Sequence, residues 1–428
     1  MRILMMTNTY SPHVGGVARS VGVFSEAYRE LGHDVLVVAP EFEYADDTEA
    51  DVVRVPAIQK FNGSDFSVAL PDTALLEAAV DRFEPHIVHS HHPFLLGSHA
   101  LRIATTHKLP LVFTHHTMYE QYTHYAPGDS QLLKRFVESL STHYANLCDQ
   151  VFAPSASIEA TLIARGVETP IAVVPTGLRK TAYTVGNGRA FRQAMGMPRD
   201  AYVVGHVGRL AEEKNLLFLT RAVASFMQAN QRAWLLMVGS GPCAREIRGI
   251  MHEHGVADRL LMTGVLEGPL LGSAYRAMDV FAFASQSETQ GMVLTEAMAA
   301  RVPVVALDGP GVREVVDDGR NGRLLMGASE STLAQALADC AALDLPARKR
   351  LRDAARRTAQ GYAIEKCASK ALALYAQLRR KASLIAEVEQ SLWEDTLSRI
   401  GAEWKVFRGL ASAAGDALAA PSVADRLS

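Results

Sequence analysis

Short, β-branched apolar runs alternate with longer stretches of helical spacing, and partway along the chain the alternation stops and begins again. The first series runs Arg2–Thr7, Val35–Ala39, Val52–Val55, Ile87–His89, Leu111–Thr114, Val151–Ala153 and Ile171–Val174. Amphipathic stretches such as Val17–Leu31, Thr73–Phe83 and Gln131–Leu147 lie between them. Apolar runs of strand length separated by helical segments predict a parallel sheet covered on both faces. The second series comprises Ala201–Val207, Trp234–Val238, Leu260–Thr263, Val280–Phe283, Val302–Ala306 and Arg323–Leu325. Its helical partners are Asn215–Ala229, Ala244–Glu253, Leu270–Met278 and Met292–Ala300. At 428 residues the chain exceeds one such sheet at ordinary domain size. The fold class expected is α/β: two Rossmann-like, doubly wound parallel-sheet domains facing a cleft, followed by C-terminal helices. The expected boundaries are 1–180, 181–362 and 363–428, with the last segment crossing back to the first domain. The linker should lie in Thr176–Gly188, which is rich in Gly, Thr and Asn. No short repeat is visible, which excludes a solenoid.

Composition serves mainly to exclude. With 48% hydrophobic and 21% charged residues the chain is neither disordered nor fibrous. A net charge of −3 speaks against a nucleic-acid partner. Residues 1–180 hold 13 Lys and Arg against 20 Asp and Glu, a net of −7, whereas the remainder carries +4. A weakly basic second half suits an anionic small ligand. Cys148, Cys243, Cys340 and Cys367 are far apart and form no CxxC, so they are read as reduced thiols. The opening apolar stretch, Ile3–Met6, is too short for a signal peptide, and no run approaches the roughly 18 residues of a membrane span. The expected location is the cytoplasm, either free or peripheral on the inner face of the membrane.

The most informative stretch is Ser287-Glu288-Thr289-Gln290-Gly291-Met292-Val293-Leu294-Thr295-Glu296-Ala297. It follows a buried strand, and Gly291 should open a helix whose free N–H groups, at Met292 and Val293, suit a diphosphate. Glu288 falls in the loop and Glu296 within the helix, two acceptor-only carboxylates able to hold two hydroxyl-bearing parts of one ligand. A capped helix with surface glutamates would look the same in isolation. The first strand of the second series, however, ends in Val207-Gly208-Arg209-Leu210, with Lys214 shortly after. Arg209 and Lys214 thus stand at the carboxyl end of a strand, where doubly wound sheets bind ligands. Such a pair can neutralise a leaving diphosphate without a metal. Val238-Gly239-Ser240-Gly241 is a second strand-then-glycine turn, and Gly15-Gly16 a third, where a ligand could approach the backbone.

Twelve of the fifteen histidines lie in residues 1–143, including His89, His91 and His92, then His115 and His116. A zinc site is disfavoured: no cysteine is close and there is no HExxH. There is also no Asp-x-Asp to hold a metal-bound nucleotide. A dinucleotide oxidoreductase would need GxGxxG after the first strand, and Gly15-Gly16 is not that motif.

In combination these residues resemble family 4 of the retaining glycosyltransferases, whose two Rossmann-like domains form the GT-B fold. Gly15-Gly16-Val17, Val207-Gly208-Arg209 with Lys214-Asn215, Val238-Gly239-Ser240-Gly241, and Glu288-x7-Glu296-Ala297 occur in the family's order over roughly residues 1–375. The resemblance implies a nucleoside-diphosphate sugar as substrate, with no cofactor and no metal. Arg209 and Lys214 would hold the diphosphate, Glu288 the sugar hydroxyls and Glu296 the ribose. Gly16, Gly239, Gly291, Met292 and Val293 would complete the donor side. His116 would serve as the catalytic-region histidine together with Glu288, although the resemblance leaves His115 open for that part. A narrower likeness, to the diacylglycerol glucosyltransferases of the family, rests on His91-His92-Pro93-Phe94-Leu95-Leu96-Gly97, Thr114–Glu120 and Tyr122-Thr123-His124-Tyr125. It implies UDP-glucose as donor, a diacylglycerol-like lipid as acceptor, and an acceptor side formed by His92, Tyr119 and Glu120. A soluble or polyprenyl-linked glycan acceptor stays open beside it; a non-catalytic nucleotide-sugar-binding protein would be expected to have lost Arg209, Lys214 or Glu288, and all three stand. Near the C-terminus, Trp393, Leu397, Ile400, Trp404 and Phe407 share one helical face. That face is read either as a clasp on the body or as a peripheral membrane contact.

Overall fold

The sheets form where the sequence supplies unbroken apolar runs. In a computed structural model, the description covers residues 1–13, 15–42, 51–59, 67–70, 72–121, 123, 130–179, 185–327 and 329–388, and in the C-terminal segment 401, 405–406 and 408–412. Two units emerge, one of Met1–Thr176 with Cys367–Ser428, the other of Gly177–Lys366. The first unit thus runs to Thr176 and takes up the chain again at Cys367.

The first unit holds strands β1 (Arg2–Met6), β2 (Asp34–Pro40), β3 (Val52–Val55), β4 (Ala57–Ile58), β5 (Val68–Ala69), β6 (Ile87–Ser90), β7 (Leu111–Thr114), β8 (Gln150–Ala153) and β9 (Ile171–Val173). Seven of them form one parallel sheet in the order β3-β2-β1-β6-β7-β8-β9, and β4 and β5 pair antiparallel. Ile3 aligns with Val35 on one side and Ile87 on the other. Ile3 to Met6 are all fully buried, as a central strand covered on both faces requires. Covering helices start where a side chain can satisfy the first N–H groups: Asp72 caps Thr73–Phe83, Ser130 caps Gln131–Asn146, and Ser155 caps Ala156–Ala164. The long helix Ile364–Val388 buries Tyr375 completely in this unit.

The second unit holds β10 (Tyr202–Val207), β11 (Ala233–Val238), β12 (Leu260–Met262), β13 (Val280–Phe283), β14 (Val304–Leu307) and β15 (Gly322–Leu325). They make one parallel sheet ordered β12-β11-β10-β13-β14-β15. Leu236, Val238, Phe281 and Phe283 pack into one core, Leu235, Met237, Val280 and Ala282 into another. Side chains alternate across a strand, so these are the two faces of the sheet, each roofed by helices. One helix begins earlier than its apolar pattern suggests. It runs Gly268–Ala277 because Pro269, in its first turn, gives up an N–H that has no intrahelical partner there.

All four cysteines are buried. Among the described residues no helix is long and apolar enough to cross a membrane. The stripe Trp393, Leu397, Ile400, Trp404 and Phe407, and the motif residues Tyr122, His124 and Tyr125, lie outside the described residues. Val406, inside them, packs against the core of the first unit.

Candidate active site

Each sheet reverses its strand order once, between β1 and β6 in the first unit and between β10 and β13 in the second. The carboxyl ends of those strands are where an open α/β sheet leaves a crevice. The candidate residues cluster at both.

In the second unit the loops after β10 and β13 are tied together. The Ser287 hydroxyl donates to the Glu213 carbonyl at 3.2 Å, and the Asn215 amide to the Ala284 carbonyl at 3.3 Å. This brings Lys214 Nζ to 2.6 Å from Glu288 Oε1, with both side chains less than one-fifth exposed. Burial pushes the Glu288 carboxyl up, but the charge and hydrogen bond of Lys214, helped by Ser285 and His206, outweigh it and hold the group below its ordinary value. Glu288 is therefore an ionised acceptor at neutral pH. Arg209 is exposed at the carboxyl end of β10.

Beside the pair, the helix Met292–Ala299 starts on Gly291, whose φ of 68° lies in the left-handed region that favours glycine. No side chain caps it, so the first N–H groups, at Met292 and Val293, point out of the terminus. Glu296 lies in the same helix but is fully buried, its Oε2 accepting the Tyr275 hydroxyl at 2.6 Å. The Gly239 turn has a mechanical reason. A Cβ on Gly239 would come within 1.9 Å of the Gly208 carbonyl oxygen, and Leu210 N–H donates to the Ser240 carbonyl at 2.9 Å. The turn thus supports the segment that carries Arg209.

In the first unit Gly16 opens the helix Gly16–Glu30 after β1, and a Cβ there would meet no neighbouring atom. Across the switch point the histidines pack together. His91 Nδ1 is 2.9 Å from His116 Nε2, with the rings stacked. His92 is buried, and its Nδ1 accepts the Asn8 backbone N–H at 3.1 Å, which leaves Nε2 as the protonated nitrogen. His115 is buried edge-on to Tyr119, and Tyr119 is edge-on to Phe94. The Tyr119 hydroxyl is buried with no hydrogen-bond partner among the described residues, and burial pushes its pKa up. Glu120 is committed to an ion pair with Arg165 at 2.9 Å, both side chains 15% exposed. Burial lowers His92 to about 3 and His115 to about 4. His116 lies well below the ordinary value, first through burial and then through His92, His89 and His115. Among the described residues no group of three or more His, Cys, Asp or Glu is placed to hold a metal.

The cluster includes residues that sequence reasoning left out of the site. His89 Nε2 meets the Thr114 hydroxyl at 2.7 Å, and its Nδ1 meets the Tyr375 hydroxyl at 2.6 Å. In the second unit His206 Nδ1 donates to the Ala282 carbonyl at 3.2 Å, and burial lowers it to about 4. The histidine clustering pointed to His89 and His91, but no sequence signal pairs His89 with a tyrosine 286 positions later.

Comparison with known proteins places both units. A model described as Glycosyltransferase Family 4 matches residues 14–180, and one described as Glycosyl transferases group 1 matches residues 188–358. The alpha-monoglucosyldiacylglycerol synthase of Acholeplasma laidlawii is 28% identical over 339 residues, spanning 75% of this chain and 84% of that protein. The D-inositol 3-phosphate glycosyltransferase of Xylanimonas cellulosilytica is 30% identical over 348 residues, spanning 77% of this chain and 82% of that protein. Among solved structures, the Anabaena protein Alr3699/HepE in complex with UDP superposes with a TM-score of 0.69 at 21% identity, covering 88% of this chain and all of that one. At that identity the superposition speaks for the fold.

Proposed function

This chain belongs to Glycosyltransferase Family 4 and has the two parallel-sheet units of the GT-B fold; from that premise we propose that it is a retaining hexosyltransferase acting without a metal. The donor is a nucleoside-diphosphate hexose, UDP-glucose in the first instance, and the acceptor is the free hydroxyl of a diacylglycerol-type lipid. The observation that carries the reading is the Lys214–Glu288 pair beside the uncapped start of Met292–Ala299. It sets one cation and several N–H groups next to one ionised carboxylate, which matches a diphosphate joined to a polyhydroxylated sugar. The first relative named above supports the lipid acceptor, since its name states a glucosylated diacylglycerol as product.

In the proposed reaction the bond from the anomeric carbon to the diphosphate oxygen breaks as the acceptor oxygen bonds to that carbon on the same face. The acceptor proton passes to the leaving diphosphate, so no protein base is consumed. Arg209, Lys214 and the N–H groups of Met292 and Val293 stabilise the charge that grows on the leaving group. Glu288 accepts from sugar hydroxyls, Glu296 serves the ribose end, and His116 donates a hydrogen bond to the donor as the glycosidic bond loosens.

The test is a two-way panel. UDP-glucose, UDP-galactose and GDP-mannose are each offered with diacylglycerol in mixed micelles and with D-inositol 3-phosphate, in excess EDTA. Glucosyl-diacylglycerol from UDP-glucose is the expected product. Transfer only to D-inositol 3-phosphate, the acceptor named for the second relative, would replace the lipid acceptor. Loss of all transfer in EDTA, restored by magnesium or manganese, would overturn the metal-free mechanism.

A further inference from the structure

We propose that His91 is a positioning residue that holds His116 by a hydrogen bond and fixes its tautomer, so that His116 carries its proton on Nδ1. The inference rests on the reading of His116 given above and adds to it the group that sets its direction.

His91 cannot move far. It follows β6, and its backbone N–H donates to the Met6 carbonyl at 3.0 Å. Its ring lies between two others: His89, with centroids 4.2 Å apart, and His116, at 5.1 Å. The His89 ring is itself held at both nitrogens, by Thr114 and by Tyr375, and the Tyr375 hydroxyl meets that of Tyr28 at 3.3 Å. The floor under His91 is therefore fixed from β7, from the first covering helix and from the returning C-terminal helix.

The bond between the two histidines admits a single proton. Burial, with the surrounding imidazoles, keeps both rings neutral at pH 7. Each neutral imidazole then has one N–H and one lone pair, and the nitrogen engaged on one side determines the state of the other. If His116 donated from Nε2, His91 would accept at Nδ1 and carry its own proton on Nε2. That atom is buried and has no hydrogen-bond partner among the described residues. An orphaned buried N–H is costlier than an orphaned lone pair and is rarer in native proteins. The proton in the bond thus belongs to His91 Nδ1, His116 Nε2 accepts it, and His116 keeps its proton on Nδ1. In that state His116 is a hydrogen-bond donor, which suits an oxygen gaining negative charge. The opposite tautomer would present a lone pair to that oxygen and repel it.

Four variants and one spectrum decide the matter. In protein with ¹⁵N-labelled histidine, the ring signals of His116, identified by their disappearance in His116→Ala, should show Nδ1 protonated. Protonation at Nε2 in the unaltered protein would overturn the proposal without any variant. His91→Leu should lower kcat by about 10–100-fold, the scale on which losing a partner that orients a working histidine is felt. KM for the donor should stay within about threefold, since a positioning residue acts through His116. His91→Asn puts an amide N–H close to the Nδ1 position and should recover most of that loss, whereas His91→Gln, which reaches toward Nε2, should not. If His116→Ala abolishes transfer but His91→Leu, folded by circular dichroism, keeps wild-type kcat and the same His116 tautomer, the positioning role is wrong and the reading of His116 stands. If His116→Ala itself turns over normally, the reading of His116 fails first and His91 has nothing to position.

Discussion

The contact between Lys214 and Glu288 bears on stability and, in the proposed reaction, on donor binding. The carboxylate is largely withdrawn from water and stays ionised because Lys214 is 2.6 Å away. Lys214→Met removes the compensating charge and leaves Glu288 to bear its burial alone. We expect a loss of about 1–3 kcal/mol in urea unfolding, the usual worth of a hydrogen bond to a charged group. Glu288→Gln should cost less, and the double variant Lys214→Met/Glu288→Gln should recover part of the first loss. Affinity for UDP, measured by calorimetry, should fall about tenfold or more in Lys214→Met and change little in Glu288→Gln, because the diphosphate needs the cation. Equal UDP affinity in Lys214→Met and the unaltered protein would remove Lys214 from the donor site. This pairing was not legible in the sequence. The motif gave both residues their places at strand ends, but that two separate loops converge on one ion pair follows only from the seryl and asparaginyl bonds that tie them.

The strands and their carboxyl-end loops were legible because each carries its own local signal. Continuous apolar runs can be satisfied only by a sheet covered on both faces, and glycine after a strand marks a turn. The expected strands Val280–Phe283 and Leu111–Thr114 coincide with β13 and β7. Order within a sheet has no local signal: nothing in Arg2–Met6 states that it will lie between β2 and β6. The reason for a particular glycine is equally hidden. Gly239 read as a generic turn, yet its missing Cβ is what lets it approach the Gly208 carbonyl. At 1.9 Å the clash falls on backbone, which cannot rotate away, and φ is 133°. Gly239→Ala should therefore destabilise the second unit by about 1–3 kcal/mol and displace the Arg209 segment. Thermal unfolding and kcat/KM should both fall. A variant with unchanged melting temperature and turnover would show that this backbone approach is not required.

At the scale of the molecule, the first unit is built around neutral histidines, and that gives it a direction of pH dependence. His89 and His92 titrate near 3 and His115 near 4 when folded, against about 6.5 in an unfolded chain. Between those values the unfolded chain binds protons that the folded one refuses. Stability is thus fully present above about pH 7 and is lost as pH falls from 6.5 toward the folded values, each ring adding to the loss. The melting temperature should fall steadily from pH 7 to pH 5; a flat profile would mean that these rings protonate without penalty. The helix Ile364–Val388 takes part in the same arrangement, since its Tyr375 closes the hydrogen-bonded row on His89. Composition announced many histidines in the first half, but their neutrality comes from burial, and burial is a property of the assembled unit. The proposed transfer of glucose from a nucleoside diphosphate is a retaining one. The most direct measurement is the anomeric configuration of the product formed from UDP-α-glucose and diacylglycerol, read from the coupling of the anomeric proton by NMR. A retaining transfer gives an α-glucoside; a β-glucoside, or hydrolysis of the donor with no glucoside formed, would contradict it.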